Sequence, residues 1–255
     1  MTRTEAALAW GMLLTGFLAA WSLVAAAVPA PAYVLPPPTA VFDAAGELIA
    51  KGILPFYIAE SLRRILTAAV VALVLGVPVG LALGMSRRVA EFAYPVLNFF
   101  QSVSGIAWLP LMLVWFGFGE RTILVAVNYT VLFPVIFNVL LGVRSVPRMY
   151  GDALRTLGAS RWRILRDVLV PGALPNIATG LRLGLAYGWR ALIAAEMLVG
   201  AHGLGSMIFT AQAFHLTARI MLGMAAIGVL WVLFDYFILR PFEEATFARW
   251  GLVHR

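Results

Sequence analysis

Long apolar stretches separated by short polar segments dominate the chain. Six stretches approach or exceed the roughly 20 residues that a bilayer-spanning helix needs, and they lie at 6–28, 65–86, 92–116, 122–143, 176–199 and 220–240. Their apolar residues surround each helix instead of forming a stripe on one face, as is typical of helices in lipid. The pattern therefore predicts an all-α, polytopic membrane protein with six transmembrane helices.

These spans divide the chain into four regions. An N-terminal transmembrane helix at 1–28 precedes an external, proline-rich connector at 29–60. The prolines favour a non-helical connector, followed by a short amphipathic piece at Val41–Ile49. A core with the other five spans, 61–240, and a tail, 241–255, complete the chain. The first span is longer than a signal-peptide core of about 7–15 residues, which favours a retained anchor over a cleaved signal.

Composition agrees with a membrane protein, since 62% of residues are hydrophobic and only 12% are charged, against about 25% charged in soluble domains. The net charge of +7 sits largely in loops between spans, so topology explains it better than nucleic-acid binding does. There is no cysteine for disulfide or thiolate chemistry, and the three histidines have no metal-site spacing. Without a Gly-x-x-x-x-Gly-Lys phosphate loop either, the sequence predicts no catalytic, metal or nucleotide site.

Arginines set the predicted orientation. If the N-terminus is cytoplasmic, most of them lie in the inside segments at 1–5, 86–91, 144–175 and 240–255. The positive-inside rule then places both termini in the cytoplasm. Arg63 and Arg64, at the outer mouth of the second span, do not fit this rule, and the charge pattern gives no reason for them.

The longest polar interruption lies between the fourth and fifth predicted spans. It predicts a first helix at Tyr150–Leu157, stopped by Gly158. Ser160 is placed to cap a second helix, Arg161–Val170, which Pro171 is expected to end. Such a basic loop can lie on anionic lipid, but two capped helices favour docking on a partner.

Two spans contain glycines at a spacing of four, which places them on one helix face. These are Gly76, Gly80 and Gly84 in the second span and Gly180, Gly184 and Gly188 in the fifth. The simpler interpretation is close packing of a neighbouring helix, and the alternative is a sliding face between moving helices. Pro78, Pro110 and Pro134 predict kinks.

Polar residues inside the spans are candidates for a solute path. A charge at the bilayer centre costs at least about 2.5–3.5 kcal/mol unless it faces protein or water, so Arg190 and Glu196 either pair structurally or line a path. The weaker candidates are Asn98, Gln101, Ser102, Ser104, Asn128 and Asn138. Each of these is equally consistent with a hydrogen bond between helices.

The polar loop resembles the signature loop of binding-protein-dependent ABC importer permeases. The family pattern is Glu-Ala-Ala, three residues, Gly, nine residues, Ile-x-Leu-Pro, and here it reads Asp152-Ala153-Leu154, Gly158 and Val168–Pro171 without a gap. Asp152 and Leu154 are departures from the pattern.

Other motifs resemble the subfamily that imports nitrate, taurine and aliphatic sulfonates, over roughly residues 33–240. They are Leu35–Pro38, Ser61-Leu62-x-Arg64, Ala107–Leu111, Trp115-Phe116-Gly117-x-Gly119-Glu120, Pro171–Pro175, Gly180–Arg182, Gly188-Trp189, Ala195-Glu196 and Gly203-Leu204-Gly205. The chain departs from relatives at Gln101–Ser104, where they often carry Arg-x-Val/Ile-Pro, and at Arg190, where they often have a small or polar residue. We hypothesise a path reshaped for a substrate other than the common sulfonates.

The resemblance implies the ABC type I importer permease fold in a bacterial inner membrane. It implies a homodimer of permeases, two cytoplasmic ATPase subunits that bind the ATP and magnesium, and an external solute-binding protein. The residues that it assigns to ATPase coupling are Asp152, Ala153, Leu154, Leu157, Gly158, Arg161 and Pro171. A self-sufficient secondary transporter or channel is the alternative, although it usually shows internal repeats or midspan carboxylates. A membrane enzyme would need a reactive constellation that the sequence lacks.

Overall fold

The chain is helical throughout the part that a computed structural model describes, which comprises residues 3–27, 34–241 and 243. This confirms the all-α prediction for that part. The helices in chain order are α1 (Arg3–Ala27), α2 (Pro38–Ala50), α3 (Ile53–Met85), α4 (Arg87–Ser102), α5 (Leu109–Phe116), α6 (Glu120–Ser145), α7 (Arg148–Thr156), α8 (Arg161–Val199), α9 (Leu204–Ala213) and α10 (Thr217–Leu239).

Four helices in the described residues, α3, α6, α8 and α10, are long and apolar enough to cross a membrane. They correspond to the predicted second, fourth, fifth and sixth spans, although α3 and α8 begin earlier than expected, at Ile53 and Arg161. The first predicted span coincides with α1 except for residue 28, which lies outside the described residues. The described helices therefore do not by themselves establish the predicted count of six.

The prediction of one continuous helix at 92–116 is wrong. Helix α4 ends at Ser102, and α5 begins only at Leu109. The connecting segment contains Gly105, whose backbone approaches α6 so closely that a Cβ atom would lie 1.9 Å from Thr130 Oγ1. Pro110 stands in the first turn of α5, where its missing N–H is tolerated, so it starts a helix instead of kinking one.

Among the described residues, three helices contain a π-helical turn, and each of these turns ends two residues before a proline. The turns are Ala72–Gly76, Leu165–Leu169 and Asp235–Leu239, which precede Pro78, Pro171 and Pro241. A proline in a regular helix clashes with the carbonyl four residues earlier, and here that carbonyl lies within the widened turn. The π turn therefore lets each helix continue through its proline.

Helix α6 is the centre of the bundle, and the first glycine ladder packs on it. Val139 of α6 lies opposite Gly80, where an added Cβ atom would be 2.6 Å from the valine Cβ. Val143 stands in the same relation to Gly84, again at 2.6 Å. The glycines of α3 and the valines of α6 are each four residues apart, so the two helices pack together along one continuous face.

The second ladder packs α8 against another face of α6. A Cβ atom on Gly184 would lie 2.7 Å from the carbonyl oxygen of Val131, and one on Gly180 would lie 2.6 Å from Asn138 Cβ. Close packing, the simpler of the two interpretations of both ladders, is therefore confirmed. Sliding along these faces stays a hypothesis.

Helices α2 and α9 close one end of the bundle. Ala44 and Leu48 of α2 are buried in a cluster with Leu204 and Met207 of α9, a helix that sequence patterning did not predict. At the surface, Arg219 of α10 donates hydrogen bonds of 3.1 and 3.2 Å to the Glu47 carboxylate. Hydrogen bonds from Lys51 and then from Arg219 lower the pKa of Glu47.

Candidate translocation and coupling sites

The predicted helix–glycine–helix loop is present, with a first helix slightly displaced from the prediction. Helix α7 ends in a Schellman motif: the Gly158 N–H donates to the Arg155 carbonyl at 2.9 Å, and the Ala159 N–H donates to the Leu154 carbonyl at 3.0 Å. Gly158 has φ = 78°, a left-handed conformation that a residue with a Cβ adopts at a cost of about 1 kcal/mol or more. The glycine therefore fixes the exit of α7.

The second helix of the loop starts as predicted and ends differently. The Ser160 hydroxyl accepts a hydrogen bond from the Arg163 N–H at 3.3 Å, which confirms the cap. Pro171 does not end this helix, because the π turn at Leu165–Leu169 accommodates it and α8 continues to Val199. The loop is thus joined rigidly to a membrane span.

Helix α7 has no fully buried residue in the part of the chain that the structure describes. Several large apolar side chains around it are exposed, including Met149 at 68%, Leu157 at 81% and Trp162 at 69%. Asp152, Ala153 and Arg161 are exposed as well, and Leu154 is partly buried. Exposed apolar groups of this size, grouped on a rigid helical hairpin, are typical of a protein-interaction surface.

A cavity of about 440 Å³ lies beside the break between α4 and α5. It brings together four of the predicted path residues, Gln101, Ser102, Ser104 and Arg190. The full lining is Phe100, Gln101, Ser102, Val103, Ser104, Gly105, Ile106, Tyr129, Thr130, Phe133, Pro134, Tyr187, Arg190 and Ala191. We call it the Arg190 cavity.

Arg190 has no carboxylate partner among the described residues, so structural pairing with an acid, one of the alternatives for this arginine, is not found there. Its side chain is exposed to the cavity, and its guanidinium carbon lies 6.0 Å from the ring centre of Tyr187. A guanidinium over an aromatic face keeps its charge and its hydrogen-bond donors available. The cavity therefore offers one positive charge to a solute.

Irregular backbone forms part of the cavity wall. Tyr129 of α6 donates its hydroxyl hydrogen to the Phe100 carbonyl at the end of α4, which anchors the broken helix. Phe133 stacks on Phe100, with ring centres 6.0 Å apart. At membrane depth, non-helical backbone is tolerated where it is covered by protein or lines an aqueous cavity, and this break meets that condition.

Four of the predicted path residues lie away from the Arg190 cavity. Asn98 is exposed on α4. Asn128 and Asn138 donate to carbonyls of their own helix, at 2.6 and 2.8 Å, instead of bridging two helices. Glu196 is completely buried in a separate ion-pair network.

That network, which we call the Arg64 cluster, consists of Ser61, Arg64, Glu120 and Glu196. Arg64, only 2% exposed, donates to Glu196 at 2.6 Å and to Glu120 at 2.7 Å. Ser61 donates to Glu196 at 2.9 Å from the same face of α3. The two unexplained features of the sequence, an arginine against the charge rule and a carboxylate inside a span, therefore neutralise each other.

Glycine turns complete the Arg64 cluster. The Gly205 N–H donates to Glu196 Oε2 at 2.9 Å, and the Leu204 N–H donates to Ser61 Oγ at 3.1 Å. A Cβ atom on Gly203 would lie 2.3 Å from the carboxyl carbon of Glu196, so only glycine fits there. Gly203-Leu204-Gly205, one of the motifs that resemble the subfamily, thus lies against a buried carboxylate.

A second arginine ties α8 to the end of α10. Arg182 lies 2.9 Å from Asp235 and 2.6 Å from Glu243. Arg240 also contacts Asp235, at 3.2 Å. The motif Gly180–Arg182 therefore combines a close-packing glycine with an ion pair between helices.

The chain is similar to known proteins both in sequence and in fold. The model of the family described as binding-protein-dependent transport system inner membrane component matches residues 72–240. The chain is 38% identical over 201 residues to the taurine transport system permease protein of Escherichia coli (strain K12), a match that covers 77% of this chain and 73% of that protein. It is 31% identical over 197 residues to the nitrate import permease protein of a Synechocystis species, covering 77% and 70%.

Among solved structures, a chain of the MetNI methionine ABC transporter, in an inward-facing conformation, superimposes with a TM-score of 0.64. The match covers 76% of this chain and 97% of that chain at 22% sequence identity. At this identity the likeness concerns the fold alone.

Proposed function

The chain belongs to the family of binding-protein-dependent transport system inner membrane components, and on that premise we propose where it carries solute and where it receives force. It is a transmembrane permease subunit of an ATP-binding-cassette importer and not an enzyme. The Arg190 cavity forms part of the translocation path. An ATPase subunit docks on the α7 hairpin, by which we mean α7, the turn at Gly158-Ala159-Ser160 and the first turns of α8.

The proposed solute is a small anion. Taurine carries a sulfonate and nitrate is itself an anion, and both are named in relatives of this chain. The observation that carries the proposal is Arg190, an arginine without an acidic partner in the described residues, which lines the same cavity as Gln101 and Ser104. Such donors recognise sulfonate, carboxylate or nitrate oxygens.

The test is anion uptake by the reconstituted importer, containing the permease, the ATPase and the cognate binding protein, with Arg190→Gln. Loss of a charge-assisted hydrogen bond, about 1.5–3 kcal/mol, lowers uptake roughly ten- to a hundredfold. Arg121→Gln, which removes an exposed arginine of α6 outside the cavity, is the matched control and leaves uptake unchanged. Equal uptake by the Arg190 variant and wild type, with intact assembly, would remove Arg190 from the path.

The coupling proposal rests on the exposure and stiffness of α7. Leu157 and the neighbouring apolar side chains are exposed in the described part of the chain, and the glycine cap fixes how α7 turns into α8. Because α8 continues from the hairpin to Val199, a push on α7 moves the span that carries Arg190. Asp152, Ala153, Leu154, Arg161 and Pro171 belong to the same unit.

The coupling test replaces Gly158 with Val. Valine is β-branched and disfavours φ = 78°, so the backbone that follows α7 takes another direction. We then expect the ATPase to dissociate or to hydrolyse ATP without transport. Gly46→Val, on an exposed face of α2 with no atom within 4 Å of the added Cβ, controls for the substitution itself. Normal coupling by the Gly158 variant would contradict the assignment.

The remaining assembly follows from the family. We propose two copies of this chain, two ATPase subunits that bind ATP and magnesium, and an external binding protein. We further propose a bacterial inner membrane as the location and, on the basis of the positive-inside rule, cytoplasmic termini, with the α7 hairpin on the same side as the ATPases.

A further inference from the structure

A second cavity, of about 690 Å³, lies next to the α7 hairpin and shares no lining residue with the Arg190 cavity. It is enclosed by the turn between α3 and α4, the end of α6, α7 and the start of α8. Its lining is Gly84, Met85, Arg87, Glu91, Val143, Arg144, Val146, Pro147, Arg148, Gly151, Asp152, Arg155, Ile164, Val168 and Leu169.

The cavity carries excess positive charge. Four arginines face two carboxylates, and two of the arginines are paired locally, Arg87 with Glu91 at 2.7 Å and Arg155 with Asp152 at 3.1 Å. Arg144 and Arg148, which are both exposed, have no carboxylate partner in the described part of the chain. Two guanidinium groups therefore remain available to an anion.

Two helix N-termini, and the position of the cavity at the ends of two spans, also favour an anionic ligand. Arg87 and Arg148 are the first residues of α4 and α7, so two helix N-termini border the cavity as well. Met85 ends α3 and Arg144 stands in the last turn of α6, which places the cavity where two spans leave the apolar layer. The headgroup region of a bilayer, which contains the lipid phosphates, begins where the hydrocarbon core ends.

The wall is also partly apolar. Met85, Val143, Val168 and Leu169 line it beside the arginines, so the cavity suits a ligand with one anionic and one apolar part. Basic pockets between transmembrane helices at the cytoplasmic surface are known to hold anionic lipid headgroups. A free phosphate ion would leave the apolar wall unused.

We propose that this cavity binds the phosphodiester headgroup of an anionic phospholipid, held by Arg144 and Arg148, with its acyl chains along the apolar wall. The lipid would brace the α7 hairpin against the ends of α3 and α6. The bilayer thereby contributes a structural ligand to the element that receives the ATPase.

The test titrates the delipidated permease–ATPase complex with dioleoylphosphatidylglycerol and, separately, dioleoylphosphatidylcholine, counting bound lipid by native mass spectrometry. Wild type retains the anionic lipid in preference to the zwitterionic one. Arg144→Gln and Arg148→Gln each lower that retention at least about tenfold, since each removes a charge-assisted contact. Arg88→Gln removes an exposed arginine of α4 that does not line the cavity, and it keeps wild-type retention.

Three results would overturn the proposal. Equal retention of the two lipids by wild type excludes a headgroup site, and an equal loss in the Arg88 variant reduces the effect to surface charge. Displacement of bound dioleoylphosphatidylglycerol by millimolar inorganic phosphate would assign the arginines to a soluble anion instead. Should a variant fail to assemble, the wild-type lipid preference and the phosphate competition still decide between these outcomes.

Discussion

Removing Glu196 should destabilise the permease far more than removing Glu120, although both carboxylates bind the same arginine. Glu196 is fully buried and accepts hydrogen bonds from Ser61, Arg64 and the Gly205 N–H. Breaking a buried pair from one side costs about 3–5 kcal/mol, because the remaining charge and donors lose their partner. The Glu120 side chain is 36% exposed, so water replaces it and the loss is roughly 1 kcal/mol.

The assay is thermal unfolding of the purified protein, followed by tryptophan fluorescence in one detergent. At roughly 2–4 °C per kcal/mol, Glu196→Ala lowers the midpoint by about 6–20 °C and Glu120→Ala by about 2–4 °C. The double variant Arg64→Met/Glu196→Leu loses less than Glu196→Ala alone, since no unpaired charge remains buried. If the two alanine variants unfold at the same temperature, burial does not control this network and the reasoning fails.

Two packing predictions follow from the glycines. Gly184→Leu places a side chain against the Val131 carbonyl and destabilises the bundle by about 1–3 kcal/mol, whereas Gly228→Leu, with open space around it, changes the unfolding midpoint little; equal midpoints would contradict the close α6–α8 contact. Gly203→Ala lowers the midpoint in wild type but has a much smaller effect in the Glu196→Ala background, because the carboxylate that it would meet is gone. Additive effects in this double-mutant cycle would place Gly203 outside the Arg64 cluster.

Features determined by local chemistry could be predicted from the sequence. Ser160 and Gly158 were assigned correctly as cap and stop, because a hydroxyl before a helix and a left-handed glycine after one act within a few residues. The apolar spans of α6 and α10 could also be predicted, because lipid requires an unbroken apolar surface.

Features determined by distant contacts could not. Pro171 was expected to end a helix, but the π turn before it depends on a backbone adjustment that no residue pattern specifies. The break after Ser102 depends on the approach of Gly105 to Thr130 of α6. The polar residues Gln101, Ser102 and Ser104 were interpreted as candidates for a solute path and not as a helix end.

Arg64 and Glu196 of the Arg64 cluster are more than a hundred positions apart, so no local sequence pattern indicates that they form an ion pair. One signal was present: Ser61 and Arg64 share a helix face, and Glu196 lies near the outer end of a predicted span. Because an isolated charge in lipid is expensive, pairing the misplaced arginine with that carboxylate was the available inference.

The central claim is that this chain carries solute only when an ATPase acts on α7. The most direct measurement is uptake of a radiolabelled anion, the ligand of the cognate binding protein, into proteoliposomes that contain either the complete importer or this chain alone. The account predicts uptake that requires ATP, the ATPase and the binding protein, and no uptake by the chain alone. Solute entry through the chain alone, driven by an ion or solute gradient, would contradict it and identify a secondary transporter or channel.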